Sequence, residues 1–189
     1  VQATVFNKLN IDVEFFERLT SSMLISVPFP YTSGFSSVTS NVGSLKNSGF
    51  NANVNYDFIK KKSSFLNVYV NVGYVEQKIT ELFQGKQYWI IPNTGVCWAV
   101  GQPVSYFYPI WAGVDPSNGE ATWYRPNANP DKIVETTKSA TTNAFNTAGL
   151  QQNSGIKRYA PFNGGFGFSA GVREFSVSAD FSFSKGKYM

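Results

Sequence analysis

The chain has 189 residues, of which 42% are hydrophobic, 16% aromatic and only 15% charged, with a formal net charge of +4. It is long enough for one domain with a sizeable core, and its charged fraction is low for a water-facing surface of this size. Histidine is absent and Cys97 is the only cysteine, which removes the usual Ser-His-Asp and Cys-His nucleophile systems, most zinc sites and any intrachain disulfide.

In chain order, Ala3-Thr4-Val5-Phe6 reads as the end of a strand and Asn7-Lys8 as a two-residue hairpin turn. Leu9, Ile11, Val13 and Phe15 then alternate with Asn10, Asp12 and Glu14, which predicts a strand ending near Arg18. From about Ser26 to Ser48 the chain is rich in Pro, Ser, Thr, Gly and Asn, a loop composition. Residues 50–58 carry the sharpest pattern: every even position is apolar or aromatic and every odd position is Asn or Asp. A period of two places one set on each face of a strand. Lys60-Lys61-Lys62 sits in the turn that follows and reads as a solvated cluster, so no nucleic-acid partner is expected. Leu66, Val68, Val70, Val72 and Tyr74 form the next apolar face, opposite Asn67, Tyr69, Asn71 and Gly73. Residues 77 to about 160 lose this periodicity, hold all four tryptophans and read as one long loop region. After Pro161 order resumes: Phe166, Phe168, Ala170 and Val172 make one face, Arg173-Glu174 a tight turn, and Phe175, Val177, Ala179, Phe181 and Phe183 the last face, with Ser and Asp between them.

An Asn/Asp face is foreign to ordinary strands and suits a wall with lipid on one side and a wet lumen on the other. The clear strands at 49–58, 66–75 and 175–184 have the ~9–11 residues of a tilted crossing. Tight connections (7–8, 59–64, 173–174) alternate with long ones (26–48, 77–160), as an up-and-down antiparallel barrel requires. No stretch approaches the ~18–20 apolar residues of a helical span, and a mean hydropathy of −0.18 fits strands that are apolar on one side only. The expectation is an all-β, antiparallel up-and-down transmembrane β-barrel, present in part over residues 1–189, with 77–160 outside the cell and the tight turns in the periplasm. A first residue of Val1, with no leader pattern, suits an exported mature chain or a piece of a longer one.

Four collinear segments resemble SusC/RagA-like TonB-dependent outer-membrane transporters of Bacteroidota, in the C-terminal part of their barrel. Leu9 to Thr20, followed by Met23-Leu24, is similar to the family's strand ending in Tyr-x-Arg-x-Thr-x-x-x-Leu, with Phe16 where Tyr is common. Asn41-Val42-Gly43-Ser44-Leu45-Lys46-Asn47-Ser48-Gly49 resembles its Asn-x-Gly-x-x-x-Asn-x-Gly signature. Ala112 to Glu120 resembles its Ala-Gly-x-Asp-Pro-x-x-Gly segment, and Gly164-Gly165-Phe166-Gly167 its closing Gly-Gly-Phe-Gly stretch. The resemblance implies a barrel of about 22 strands, a plug domain and a TonB box, the last two expected outside residues 1–189. It implies import of glycans or peptides, with a SusD-like surface lipoprotein, the TonB complex, the glycan or peptide substrate and outer-membrane lipid as partners. No cofactor or metal is expected.

The remaining motifs have bland readings beside the functional ones. Asp115-Pro116-Ser117-Asn118-Gly119-Glu120 lacks the spacing of a calcium loop and reads as a tight turn. Cys97, between Val96 and Trp98, reads as a packed hydrophobe. The glycines at 164–167 open no helix and so form no dinucleotide fingerprint; they read as sites of close backbone approach. Asp12, Glu14, Asp57 and Asp180 read as part of a hydrated wall, the alternative being a glycosidase dyad. The run Tyr106-Phe107-Tyr108-Pro109-Ile110-Trp111 can stack on sugar rings, and reads equally as strand packing or an interface girdle. The candidate substrate contacts are Trp89, Trp98, Tyr106, Tyr108, Trp111 and Trp123. A soluble secreted β-sandwich that binds carbohydrate is the alternative to the importer; no enzyme is expected.

Overall fold

The structure, a computed structural model, describes residues 1–28, 32, 34, 37–92, 94–138 and 140–187. In chain order the first strands are β1 (Gln2–Val5), β2 (Leu9–Thr20), β3 (Leu24–Pro28), β4 (Ser37–Asn41), β5 (Gly43–Lys61) and β6 (Ser64–Leu82). Short strands follow: β7 (Tyr88–Ile91), β8 (Val96–Ala99), β9 (Ser105–Pro109), β10 (Trp111–Val114), β11 (Ala121–Tyr124) and β12 (Thr141–Thr142). A single helical turn, α1 (Thr147–Leu150), leads into β13 (Gln151–Lys157), β14 (Phe162–Val172) and β15 (Phe175–Lys185). The fold is therefore all-β and its sheets are antiparallel; among the described residues none closes on itself.

The largest sheet runs β1-β2-β5-β6-β14-β15. Its register keeps the two chemistries apart across every strand. Ile11, Val54, Val70, Phe166 and Phe181 form one row, while Asp12, Asn53, Asn71, Gly165 and Ser182 form the adjacent row on the opposite face. A one-residue slip anywhere would mix the faces. On the apolar face Phe15, Phe50, Tyr74 and Phe162 make an aromatic row, with Phe15–Phe50 and Phe50–Tyr74 ring centroids 6.2 and 6.0 Å apart. Beyond it the same face turns charged, with Lys46 paired to Glu17 at 2.8 Å and Lys78 to Glu76 at 3.1 Å. From Phe162 to Val172 the strand rises by about 33 Å, which a tilt of about 40° reduces to about 25 Å, the height of a lipid-facing band.

The wall strands are longer than the ten-residue spans read from the sequence. β5 and β6 have 19 residues each, because the ladder continues through Gly43–Ser48 and Glu76–Leu82, where polar residues on both faces hide the alternation. Register shifts between Asp57 and Ile59, and opposite Thr80, are β-bulges that change which face the next residue meets. The first tight turn is centred one residue earlier than expected: Phe6 and Asn7 adopt φ of 51° and 53°, and Lys8 N–H donates to the Val5 carbonyl at 3.1 Å. Arg173, also left-handed at φ 55°, donates its N–H to Ser63 O at 2.8 Å and ties the last two turns together.

Neither long connection is a plain loop. The segment expected as loop at 26–48 contains the hairpin β3–β4 and the start of β5; its residues 29–31, 33, 35 and 36 lie outside the described set. Residues 77–160 finish β6 and then build a four-stranded sheet, β13-β9-β8-β7, and a three-stranded one, β10-β11-β12. The buried core lies here. Val96 and Trp98 of β8 pack with Val42, Ile79, Leu82, Trp89 and Val104, while Cys97 and Ala99 of the same strand pack with Phe107 and Val134. The large sheet is the reverse case: Phe15, Phe166, Val177 and Phe181 on its apolar face are exposed. A sandwich would cover that face with a second sheet.

Candidate functional site

The six candidate aromatics divide into three environments. Trp89 and Trp98 are direct cross-strand partners on β7 and β8, edge-to-face at 5.9 Å and 86°, and each is only 9% exposed. Phe83 meets Trp89 edge-on at 5.4 Å. These rings fill the interior. Trp123 on β11 lies opposite Trp111 on β10 and rests on Phe145, centroids 4.7 Å apart.

Tyr106, Tyr108 and Trp111 are brought together. β9 alternates, so Ser105 and Phe107 are buried while Tyr106 and Tyr108 share the other face, with centroids 6.1 Å apart and planes inclined by 30°. Gly95, at φ +62°, leaves the room in which the Tyr108 ring lies. With Trp111, which is 63% exposed, the two tyrosines form one side of a cleft of about 740 Å³. The other side comes from Thr136, Lys138 and Ser154–Ile156.

That second side was not legible in the sequence, because it is built by an irregularity. The register of β13 on β9 shifts between Asn153 and Lys157, and Gly155 takes φ +73° at the bulge. The loop is locked from within: Ser154 Oγ donates to Tyr106 O at 3.0 Å and accepts from Ile156 N–H at 3.2 Å. Asn153 Oδ1 accepts from Gly155 N–H at 2.9 Å, and Thr136 Oγ1 donates to Asn153 O at 2.8 Å. The fully buried Gln152 bridges two further segments, accepting from Thr137 N–H and donating to Tyr124 O, both at 3.0 Å. A buried amide with both ends satisfied fixes the segments it joins.

The polar face of the large sheet is a hydrogen-bonded wall. Asp57 accepts from Asn67 Nδ2 at 2.7 Å and from Lys60 Nζ at 3.1 Å, and Asn67 Nδ2 also donates to Asn55 Oδ1 at 2.6 Å. Tyr69 donates its phenol to Asp180 across β14. It can do so because Gly167 lies beneath the pair, where a Cβ would meet both side chains. Gly164 and Gly171 are likewise covered by the rings of Phe183 and Phe65, which is the close approach that the glycine run suggests.

The Asp115 segment is a tight turn. Asp115 Oδ1 accepts from Ser117 Oγ at 2.6 Å and Ser117 N–H at 2.9 Å, and Gly119 takes φ +75°. Hydrogen bonds from Ser117 hold its carboxyl below the ordinary carboxylate range. Cys97 is fully buried, 3.2 Å from Ser105 Oγ; burial pushes its thiol above the usual value, with the Ser105 hydrogen bond acting in the opposite direction. A thiol so placed is a packing group.

No protein-family profile matches the chain. Among curated proteins it is similar to TonB-dependent receptor P39 of Formosa agariphila, 29% identical over 75 residues, which is 40% of this chain and 7% of that receptor. Among solved structures it is similar to the RagAB peptide importer in its open-open state, with 36% identity, a TM-score of 0.82, and coverage of 97% of this chain and 19% of the solved one. The closed-closed state of that importer gives 35% identity and a TM-score of 0.84, covering 100% of this chain and 20% of the solved one. The likeness thus runs the length of the sequence and includes each segment quoted above: the chain is SusC/RagA-like, and it spans about a fifth of the solved transporter chains that it matches.

Proposed function

We propose that this chain is part of the β-barrel of a TonB-dependent outer-membrane importer for glycans or peptides. The observation that carries the reading is the separation of an apolar from an Asn/Asp/Ser-rich face, kept in register across six paired strands up to the Phe15–Phe162 row. The exposed apolar face meets lipid, with the Phe15–Phe50–Tyr74–Phe162 row as its girdle, and the Asn/Asp/Ser face borders a hydrated lumen. The edges left open by β1 and β15 are completed by strands outside this chain, since an unpaired edge in lipid leaves backbone groups unsatisfied.

In this reading residues 77–160 stand on the extracellular side, the tight turns at 6–8, 62–63 and 173–174 in the periplasm. Tyr106, Tyr108 and Trp111 are the substrate-facing aromatics, Trp123 stands beside them, and Trp89 and Trp98 hold the fold that presents them. A SusD-like surface lipoprotein covers this side. Coupling to TonB and gating by a plug belong to parts of the transporter beyond this chain. The residues here have no catalytic role: they bind, line and orient.

The test is cysteine labelling in intact cells with a large membrane-impermeant reagent. Reaction at Asn118→Cys with protection at Lys61→Cys is the expected result; the opposite pattern overturns the orientation and the assignment of the cleft to substrate capture.

A further inference from the structure

The cleft between β9 and the β13 bulge has a polar inventory that narrows what it can hold. Its two hydroxyl side chains opposite the tyrosines, Thr136 and Ser154, are both spent on backbone partners. The backbone N–H groups of Gly155 and Ile156 are spent as well, on Asn153 Oδ1 and Ser154 Oγ. Besides the Tyr106 and Tyr108 hydroxyls and the Trp111 N–H, what remains is Lys138, an exposed cation that forms no ion pair among the described residues and lines the same cleft as these rings. No carboxylate lines this cleft. An ammonium beside flat aromatic faces complements a ligand that carries an anion next to a ring or apolar face, and about 740 Å³ is within the range of small-ligand sites, ~300–1,000 Å³.

We infer that this cleft is a subsite for a carboxylate-bearing segment of the imported ligand, with Lys138 as the partner of the carboxylate and Tyr106 and Tyr108 as the stacking surface. The inference rests on the importer reading and adds a charge preference to it. The carboxylate has two sources, an acidic oligopeptide or a uronate-containing oligosaccharide, and the chemistry that recognises it is the same.

The experiment uses the full-length transporter with its surface lipoprotein, purified in detergent, and two matched ligand pairs. One pair is an acidic oligopeptide and its side-chain and C-terminal amide; the other is an oligouronate and its methyl ester. Binding is measured by calorimetry for the wild type, Lys138→Gln and Lys138→Arg. The expected result is that the acid form in one pair binds more tightly than its neutral form. Lys138→Gln then weakens only the acid form, by about threefold to tenfold, Lys138→Arg restores it, and the pair that responds identifies the source. Equal affinities for acid and neutral forms, absence of binding by either acid, or an unchanged Lys138→Gln variant overturns the inference. TonB-dependent uptake by cells, measured on the growth substrate, reports separately on the importer reading: uptake that persists while the charge preference is missing removes only the subsite.

Discussion

The six-stranded wall and the segment at 83–157 solve the burial problem in opposite ways. In the inserted segment, β8 is covered on both sides, and successive residues Val96, Cys97, Trp98 and Ala99 are all buried. In the wall, Phe15, Val54, Val70, Phe166 and Phe181 all remain exposed, and order comes from the ladder and from side chains laid over neighbouring strands. The first region carries its own hydrophobic core. The second leaves its apolar face exposed, the face that lipid covers in the proposed barrel. Their stabilities therefore depend on different terms, side-chain packing in one and the surrounding solvent in the other.

The sharpest way to test that contrast is inside the inserted segment, in the full-length protein. Trp98→Ala is expected to cost about 3–5 kcal/mol and Trp111→Ala under about 0.5, because only the first empties a packed interior. Hydrogen exchange over residues 83–157 reads this directly; equal losses would erase the distinction between core and surface tryptophans. In the wall, Val54→Arg is expected to cost about 2–4 kcal/mol in bilayers and Asn53→Ser under about 0.5. Comparable tolerance at the two positions in a bilayer refolding assay would sink the lipid-facing assignment. Gly167→Ala, which pushes a Cβ into the Tyr69–Asp180 pair, is expected to cost about 1–3 kcal/mol. Tyr69→Phe, which only deletes the hydrogen bond, is expected to cost about 0.5–1.5. The reverse order would mean that the glycine is not there for that crossing.

The smallest effect is one of pH. Asp115 has its folded pKa lowered by Ser117, so its contribution to the turn is complete above the unfolded carboxylate value and is lost as pH falls through the folded one. Exchange protection of Ser117 N–H, relative to neighbouring amides, should therefore decline below the ordinary carboxylate range, and Asp115→Asn should abolish that dependence. Constant relative protection across acid pH would show that the turn does not need the charge.

The contrast also explains which parts of the molecule could be read from the chain. β2, the lower half of β5 and β6, β14 and β15 were legible because each has one wet and one dry face, and period two records that locally. β8 was not, since burial on both faces leaves Val96 to Ala99 as a plain apolar run. β4 and the second half of β3 lie within a Ser-, Pro- and Gly-rich stretch whose composition resembles that of a loop. At the site, the aromatic side was visible as the run Tyr106 to Trp111. Ser154 reaches it through a bulge and Thr136 and Lys138 from an irregular segment, neither of which has a period to detect. Which tryptophans are buried depends on what packs over them, and that is a property of the assembled sheets.

Ile79 and Leu82 end a wall strand and are at the same time part of the buried core of the 83–157 segment, and Ile79 is bonded to the turn between β8 and β9 through Gln102 O and Gly101 N–H. β5 accompanies β6 to this height, while β14 stops pairing at Phe162 opposite Tyr74. The outgoing connection is thus a two-stranded post whose head is embedded in that core. The return, Arg158 to Pro161, is not strand. A paired arm on one side and a short irregular connection on the other attach the β7–β13 segment to the wall unequally, so a load on that segment reaches the wall first through β5 and β6.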